Sequence, residues 1–101
     1  MIVYNITMKV DPSIEKDWIK WQREEHIPEI LATGLFTEHK FFRLLEQDET
    51  DGVTYVIQYF ASSLENYQQY VEKFAPLFRK KASDKWKDRF VGFRTVMQVV
   101  Q

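Results

Sequence analysis

The chain has 101 residues, a formal net charge of −1 and 29% charged side chains, a length that forms one domain, 1–101, around a single core. That balance gives no global attraction to nucleic acid or to an anionic membrane surface, and no stretch approaches the roughly 18 apolar residues of a membrane span. The absence of cysteine excludes disulfides, thiolate nucleophiles and thiolate metal sites, and a start without a basic-then-apolar leader makes the cytoplasm the expected compartment.

Residues 2 to 10 alternate, with Ile2, Tyr4, Ile6, Met8 and Val10 on one side and Val3, Asn5, Thr7 and Lys9 on the other. This is the pattern of a strand with one buried face. Asp11-Pro12-Ser13 is helix-start chemistry, with Ser13 or Asp11 as the N-cap. At about 100° per residue, Ile14, Trp18, Trp21, Glu25, Pro28 and Ala32 then lie along one line of a helix. Pro28 disfavours helical geometry at Ile27 and has no N–H to donate. The expectation is a helix over about residues 13 to 26, a kink or break, and a short turn to Thr33 with Gly34 as a left-handed cap.

Residues 35 to 46 read as a second strand, 47 to 52 as a polar hairpin loop closed by Asp51-Gly52, and 53 to 61 (VTYVIQYFA) as a third strand. Ser62-x-x-Glu65 has capping-box spacing and opens a second helix, with Leu64, Tyr67, Tyr70, Val71, Phe74, Leu77 and Phe78 on its apolar face. Pro76 kinks or interrupts it. Residues 90 to 100 form a fourth strand in which Gly92 marks a bulge or bend. The order β-α-β-β-α-β predicts an α+β, ferredoxin-like fold, a four-stranded antiparallel sheet with two helices on one face.

Two helices shield only one side of such a sheet. The other side is expected to carry Val3, Asn5, Thr7 and Lys9, then Thr54, Val56, Gln58 and Phe60. From the fourth strand it takes Arg94, Val96, Gln98 and Val100, unless Gly92 shifts the register. The second strand is open in phase: with Phe36, Phe42 and Leu44 toward the helices, Thr37, His39, Phe41 and Arg43 point outward, and a one-residue slip reverses this. Such a mixed surface predicts a homodimer whose sheets face each other around a cavity. The competing expectation is a monomer with polar groups tolerated on a wet face.

Glu25, aligned with Trp18 and Trp21, is a candidate general acid or base, because indole rings around a carboxyl raise its pKa. The plainer reading pairs it with a neighbouring lysine or arginine. His26, beside the proline, is the second candidate, with a hydrogen bond to a freed backbone carbonyl as its structural alternative. Trp18, Trp21, Asn5, His39, Arg43, Gln58 and Arg94 make up the candidate ligand-binding set, its cations suiting an anionic aromatic molecule or, instead, interface ion pairs. His26 and His39 have no second-ligand spacing, so no metal is expected; no cofactor is expected either, and no local motif supports haem ligation by either histidine. Residues 79 to 89 carry six basic and two acidic side chains and read as a solvated helix face rather than a nucleic-acid surface. The four acids between Glu46 and Asp51 lack EF-hand spacing.

The pattern Trp18-x-x-Trp21-x-x-x-Glu25-His26-x-Pro28-Glu29 after Asp11-Pro12, followed by Thr33-Gly34-Leu35-Phe36, resembles the small bacterial proteins of the domain-of-unknown-function family DUF4286 over nearly the whole chain. Through the helix motif and the element order it is also similar to the dimeric α/β barrel superfamily, with its EthD-like and muconolactone-isomerase-like members. The resemblance implies a two-subunit barrel with a ligand-sized cavity. It leaves Glu25 and His26 as the only positions carried over from the wider motif, since a shared fold does not choose among monooxygenases, isomerases and haem-handling proteins. The functional expectation is a homodimer that binds a small molecule, with acid–base catalysis by Glu25 or His26. The alternative is a non-catalytic interaction module acting through its sheet.

Overall fold

Alternation in the first and third strands decides the architecture. In β1 (Ile2–Val10) and β3 (Val53–Ala61) alternate residues are apolar, and antiparallel pairing sets Tyr4 opposite Tyr59 and Ile6 opposite Ile57. Side chains directly opposite share a face, so the pair presents one continuous apolar surface. The computed structural model describes residues 1–101. It adds β2 (Glu38–Arg43) outside β3 and β4 (Phe90–Gln98) outside β1, in the antiparallel order β2-β3-β1-β4. Helices α1 (Glu15–Trp21), α2 (Ile27–Leu31), α3 (Leu64–Lys73) and α4 (Ala75–Trp86) cover the apolar face. The fold is α+β and ferredoxin-like.

Aromatic rings fill the layer between sheet and helices. The rings of Phe36, Tyr59, Tyr67 and Tyr70 lie 5.4 to 6.3 Å from that of Tyr4, centroid to centroid. At the other end Trp18, 1% exposed, packs 5.3 Å from Tyr55 and 5.8 Å from Phe41.

The first helical stretch does not break at Pro28. A single π-helical turn, Gln22–His26, joins α1 to α2, with the Ile27 N–H donating five residues back to the Gln22 carbonyl. Pro28 then falls in the first turn of α2, where a missing N–H and a fixed φ are tolerated. The expected kink is therefore replaced by helix as far as Leu31. Gly34 follows in the left-handed region, φ +77°, as expected of a cap. The second cap sits one residue later than its sequence motif suggests: Ser63, not Ser62, accepts the Asn66 N–H, at 3.1 Å. Pro76 does mark an interruption, lying in the first turn of α4 just after the chain bends at Phe74.

Two strand phases differ from expectation. His39 lies opposite Tyr59, Phe41 opposite Ile57 and Arg43 opposite Tyr55, so His39, Phe41 and Arg43 face the helices while Phe42 faces away. The cause is a bend at Thr37, whose N–H donates to the Phe60 carbonyl at 2.8 Å before the strand begins; it resets the alternation between Phe36, which is buried, and His39. In β4, Arg94 pairs with Ile6, Val96 with Tyr4 and Gln98 with Ile2, so these three also face the helices. Gly92 makes no bulge. It pairs directly with Met8, and a Cβ there would run into the Thr7 carbonyl and the Met8 side chain, so glycine permits close contact rather than a bend.

The face without helices is consequently built in rows. Phe93, Thr7, Val56 and Phe42 form one row and Met97, Val3, Phe60 and Glu38 another, with Thr95, Asn5, Gln58 and Lys40 between them. Val91, Phe93 and Phe42 are 68%, 61% and 44% exposed. In the polar row the Gln58 amide donates to Asn5 Oδ1 at 3.2 Å, and the Asn5 amide donates to Thr7 Oγ1, also at 3.2 Å.

The hairpin loop ends on Gly52, φ +154°, whose missing side chain makes room for the end of β1: a Cβ would stand 2.5 Å from the Val10 carbonyl oxygen. Backbone cannot step aside cheaply, so Gly52→Ala is expected to cost about 3 kcal/mol in urea unfolding. Gly34→Ala, with nothing within 4 Å of its Cβ, should cost about 1 kcal/mol, the conformational part alone. Equal losses at the two positions would show that the approach of Val10 is not what demands glycine.

Candidate functional site

The π-helical turn decides which side chains reach the interior. An α-helix drifts by about 40° for each four-residue step, whereas a π turn takes up more residues per revolution and cancels part of that drift. Trp18, Gln22, His26 and Ile30, four residues apart, therefore all point at the sheet and line one cavity of about 60 Å³. Tyr4, Ile6, Met8, Ile57 and Tyr59 form the sheet side of this cavity, and Phe78, Ala82 and Phe90 close it. Arg79 from α4 and Arg94 from β4, both exposed, stand at its rim.

The floor is polar where a core would be apolar. Gln22 is 2% exposed, His26 9% and Tyr59 0%, yet Gln22 Oε1, His26 Nδ1 and the Tyr59 hydroxyl have no hydrogen-bond partner in the protein. Each such group costs about 1–3 kcal/mol when buried unpaired, so three on one cavity call for an occupant. His26 stacks on Trp21 with centroids 4.4 Å apart and meets the edge of Phe78 at 5.9 Å. Burial pushes the imidazole pKa down from 6.5 to about 4; the Glu29 carboxylate partly opposes this and the Lys81 ammonium adds to it. The ring is therefore neutral at pH 7, able to give or take one hydrogen bond at each nitrogen. Burial likewise raises the Tyr59 hydroxyl well above its ordinary value, with Tyr70 and Tyr4 contributing.

The rim is cationic. Arg79 Nη2 donates to the Tyr4 hydroxyl at 3.5 Å. The three ion pairs of the protein are Arg43–Glu49, Lys80–Asp84 and Lys81–Glu29, so neither rim arginine is neutralised by a carboxylate.

The residues nominated from sequence fall in separate places. Trp18, His26 and Arg94 belong to the cavity; Trp21 lies behind it, supporting His26. Glu25 is exposed on the outer surface beside Trp21, Glu29, Lys81 and Lys85, because the π turn brings His26 rather than Glu25 over Trp21. The expected carboxylate among indoles is therefore absent. His39 and Arg43 border a shallow groove with Arg23, Phe41 and Tyr55 beside β2, and Arg43 is held by Glu49 at 2.6 Å. Asn5 and Gln58 occupy the helix-free face and bond each other. His39, Arg43 and Arg94 thus do not join Asn5 and Gln58 in a cavity between sheets, since the phases of β2 and β4 send them to the other side.

Gln22, Tyr59 and Arg79 were missed. Alternation through Tyr55, Ile57 and Tyr59 did carry a signal for Tyr59. Gln22 had none, because its burial depends on a π turn that no local pattern announces.

A four-stranded antiparallel sheet with helices on one face and a polar-floored cavity between the layers defines a ferredoxin-like domain with an internal site. Among solved structures the chain is similar to a mutant form of SnoaB from Streptomyces nogalater, described as a cofactor-independent oxygenase, with TM-score 0.72 and 12% identity over 99% of this chain and 93% of that one. An EthD family protein from Bacillus halodurans C-125 matches with TM-score 0.72 and 13% identity, covering 99% and 100% of the two chains. A dimeric ferredoxin-like protein from an uncultured marine organism matches with TM-score 0.69 and 9% identity, covering 99% and 96%. No curated protein matches the chain. The model of the family "Domain of unknown function (DUF4286)" matches residues 1–100, and the protein belongs to that family.

Proposed function

We propose that the domain acts in the cytoplasm as a self-associating protein that binds a small molecule in the cavity between sheet and helices. One observation carries the ligand: Gln22 Oε1, His26 Nδ1 and the Tyr59 hydroxyl are buried and unpartnered, and all three residues line the same cavity. Self-association rests on the rows of Phe93, Met97, Phe42 and Val91 that the helices leave in water, since clustered exposed apolar side chains mark interaction surfaces. A second copy of the same sheet covers it and satisfies the central polar row by symmetry. The neighbour described as dimeric agrees with this.

His26 is the cavity group able to move a proton, and the neighbour described as a cofactor-independent oxygenase makes side-chain-driven chemistry compatible with this architecture. The exposed apolar rows also favour a second reading, an interaction module with the same self-association and no ligand.

Native mass spectrometry of protein purified from its own host reads both features together. The expected species is two copies of the 12.2 kDa chain plus a retained mass. Phe93→Glu should yield single subunits, and Gln22→Leu should lose the added mass. Dimers without any added mass would favour the interaction module, and bare single subunits would overturn both readings.

A further inference from the structure

We propose that the cavity takes a short aliphatic hydroxycarboxylate, with its carboxylate on Arg79 and Arg94 at the rim and its hydroxyl among Gln22, His26 and Tyr59 at the floor. This rests on the ligand-binding reading above and narrows the ligand to one chemical class.

Size excludes a ring. A cavity of about 150 Å³ is what accommodates benzene in a protein interior, whereas this one measures about 60 Å³. An aromatic acid would have to displace Trp18, Phe78 or Phe90, which line the cavity. Only the hydroxyl-bearing end of a short chain has to enter, two or three carbons and one oxygen, because the carboxylate stays outside the cavity on the arginines.

Polarity then orients the ligand. Gln22 Oε1 only accepts, while His26 Nδ1 and the Tyr59 hydroxyl can donate or accept, and all three are unpartnered. A hydroxyl, which donates once and accepts as well, satisfies such a set. A carboxylate at the floor would instead face the carbonyl lone pairs of Gln22 with no cation beside it, an unpaired buried charge. The cations are at the rim, where Arg79 and Arg94 remain exposed and free of acidic partners. Planar guanidinium forks match the two oxygens of a carboxylate. Charge at the mouth and hydroxyl at the floor is thus an orientation that pairs every group.

The test is an NMR titration of the intact protein, following the ring signals of His26 and Tyr59, with lactate, 3-hydroxybutyrate, propionate, 1,2-propanediol, phosphate and phenol as probes. Lactate and 3-hydroxybutyrate should shift both rings saturably, and propanediol should bind about ten-fold more weakly for want of the arginine contacts. Arg79→Gln and Arg94→Gln, both at exposed positions, should each weaken lactate by about ten-fold and leave propanediol unchanged. Gln22→Leu should abolish the preference for lactate over propionate. Phenol shifting these rings at lower concentration than lactate would overturn the hydroxycarboxylate while leaving a ligand site intact, and phosphate displacing lactate equally in the wild type and Gln22→Leu would reduce the site to its rim. No shift at His26 or Tyr59 with any probe, phenol included, would overturn the ligand site itself.

Discussion

Trp18→Ala is expected to lower the free energy of unfolding by about 3–5 kcal/mol and to depress the melting temperature by roughly 15 °C or more. The indole is 1% exposed and is the contact through which α1 holds the β2 side of the sheet, against Tyr55 and Phe41. Truncation removes this buried apolar surface and leaves a void that rigid neighbouring rings close only in part. Urea unfolding of the two proteins, with m unchanged, measures the loss. A loss below about 1 kcal/mol, the average for any substitution, would mean that the indole is a replaceable ligand contact, as its sequence motif suggests, and not a structural one.

Acid should destabilise the protein through His26 in a window set by two pKa values. In the unfolded chain the imidazole takes up a proton near 6.5, but in the folded protein burial defers that uptake to about pH 4. Between those values the unfolded state binds more protons, so stability is complete above pH 6.5 and is lost as pH falls toward 4. A depression of this size corresponds to roughly 3 kcal/mol. The carboxyls of Asp11, Asp48 and Asp84 are held below 3.8 by hydrogen bonds from Ser13, Thr50 and Lys80, so they titrate beneath this window. Urea unfolding at pH 7.5 and pH 4.5 should show the drop in the wild type. His26→Phe, which keeps a flat ring on Trp21 and has no proton to bind, should remove most of it. An identical drop in the two proteins would place the titrating group elsewhere.

The same residue shows how far local pattern reaches. Placing Glu25 under the indoles follows from counting 100° per residue, and a proline four residues after Glu24 looks like a terminus. Neither inference anticipates the π turn, because the turn is stabilised by what it brings together, His26 on Trp21 and against Phe78, and not by the propensities of Gln22-Arg23-Glu24-Glu25-His26. The strand phases fail for a related reason. In β4 both alternating sets hold large apolar residues, Phe90 and Val96 on one side and Phe93 and Met97 on the other, so period two carries no contrast from which to choose a face. In β2 the bend at Thr37 breaks the count between Phe36 and Phe41.

Read alone, the sequence determined the element order, the buried faces of β1 and β3 and the presence of an uncovered sheet face, since each follows from periodicity and turn chemistry within about ten residues. Tertiary structure alone decided that the cavity lies between sheet and helices, that His26 lines it and Glu25 does not, and that Arg94 joins Arg79 at its rim. Those outcomes depend on cross-strand register and on a helix yielding by one residue to pack against rings more than thirty positions away, and the energy that selects them exists only once the layers have met.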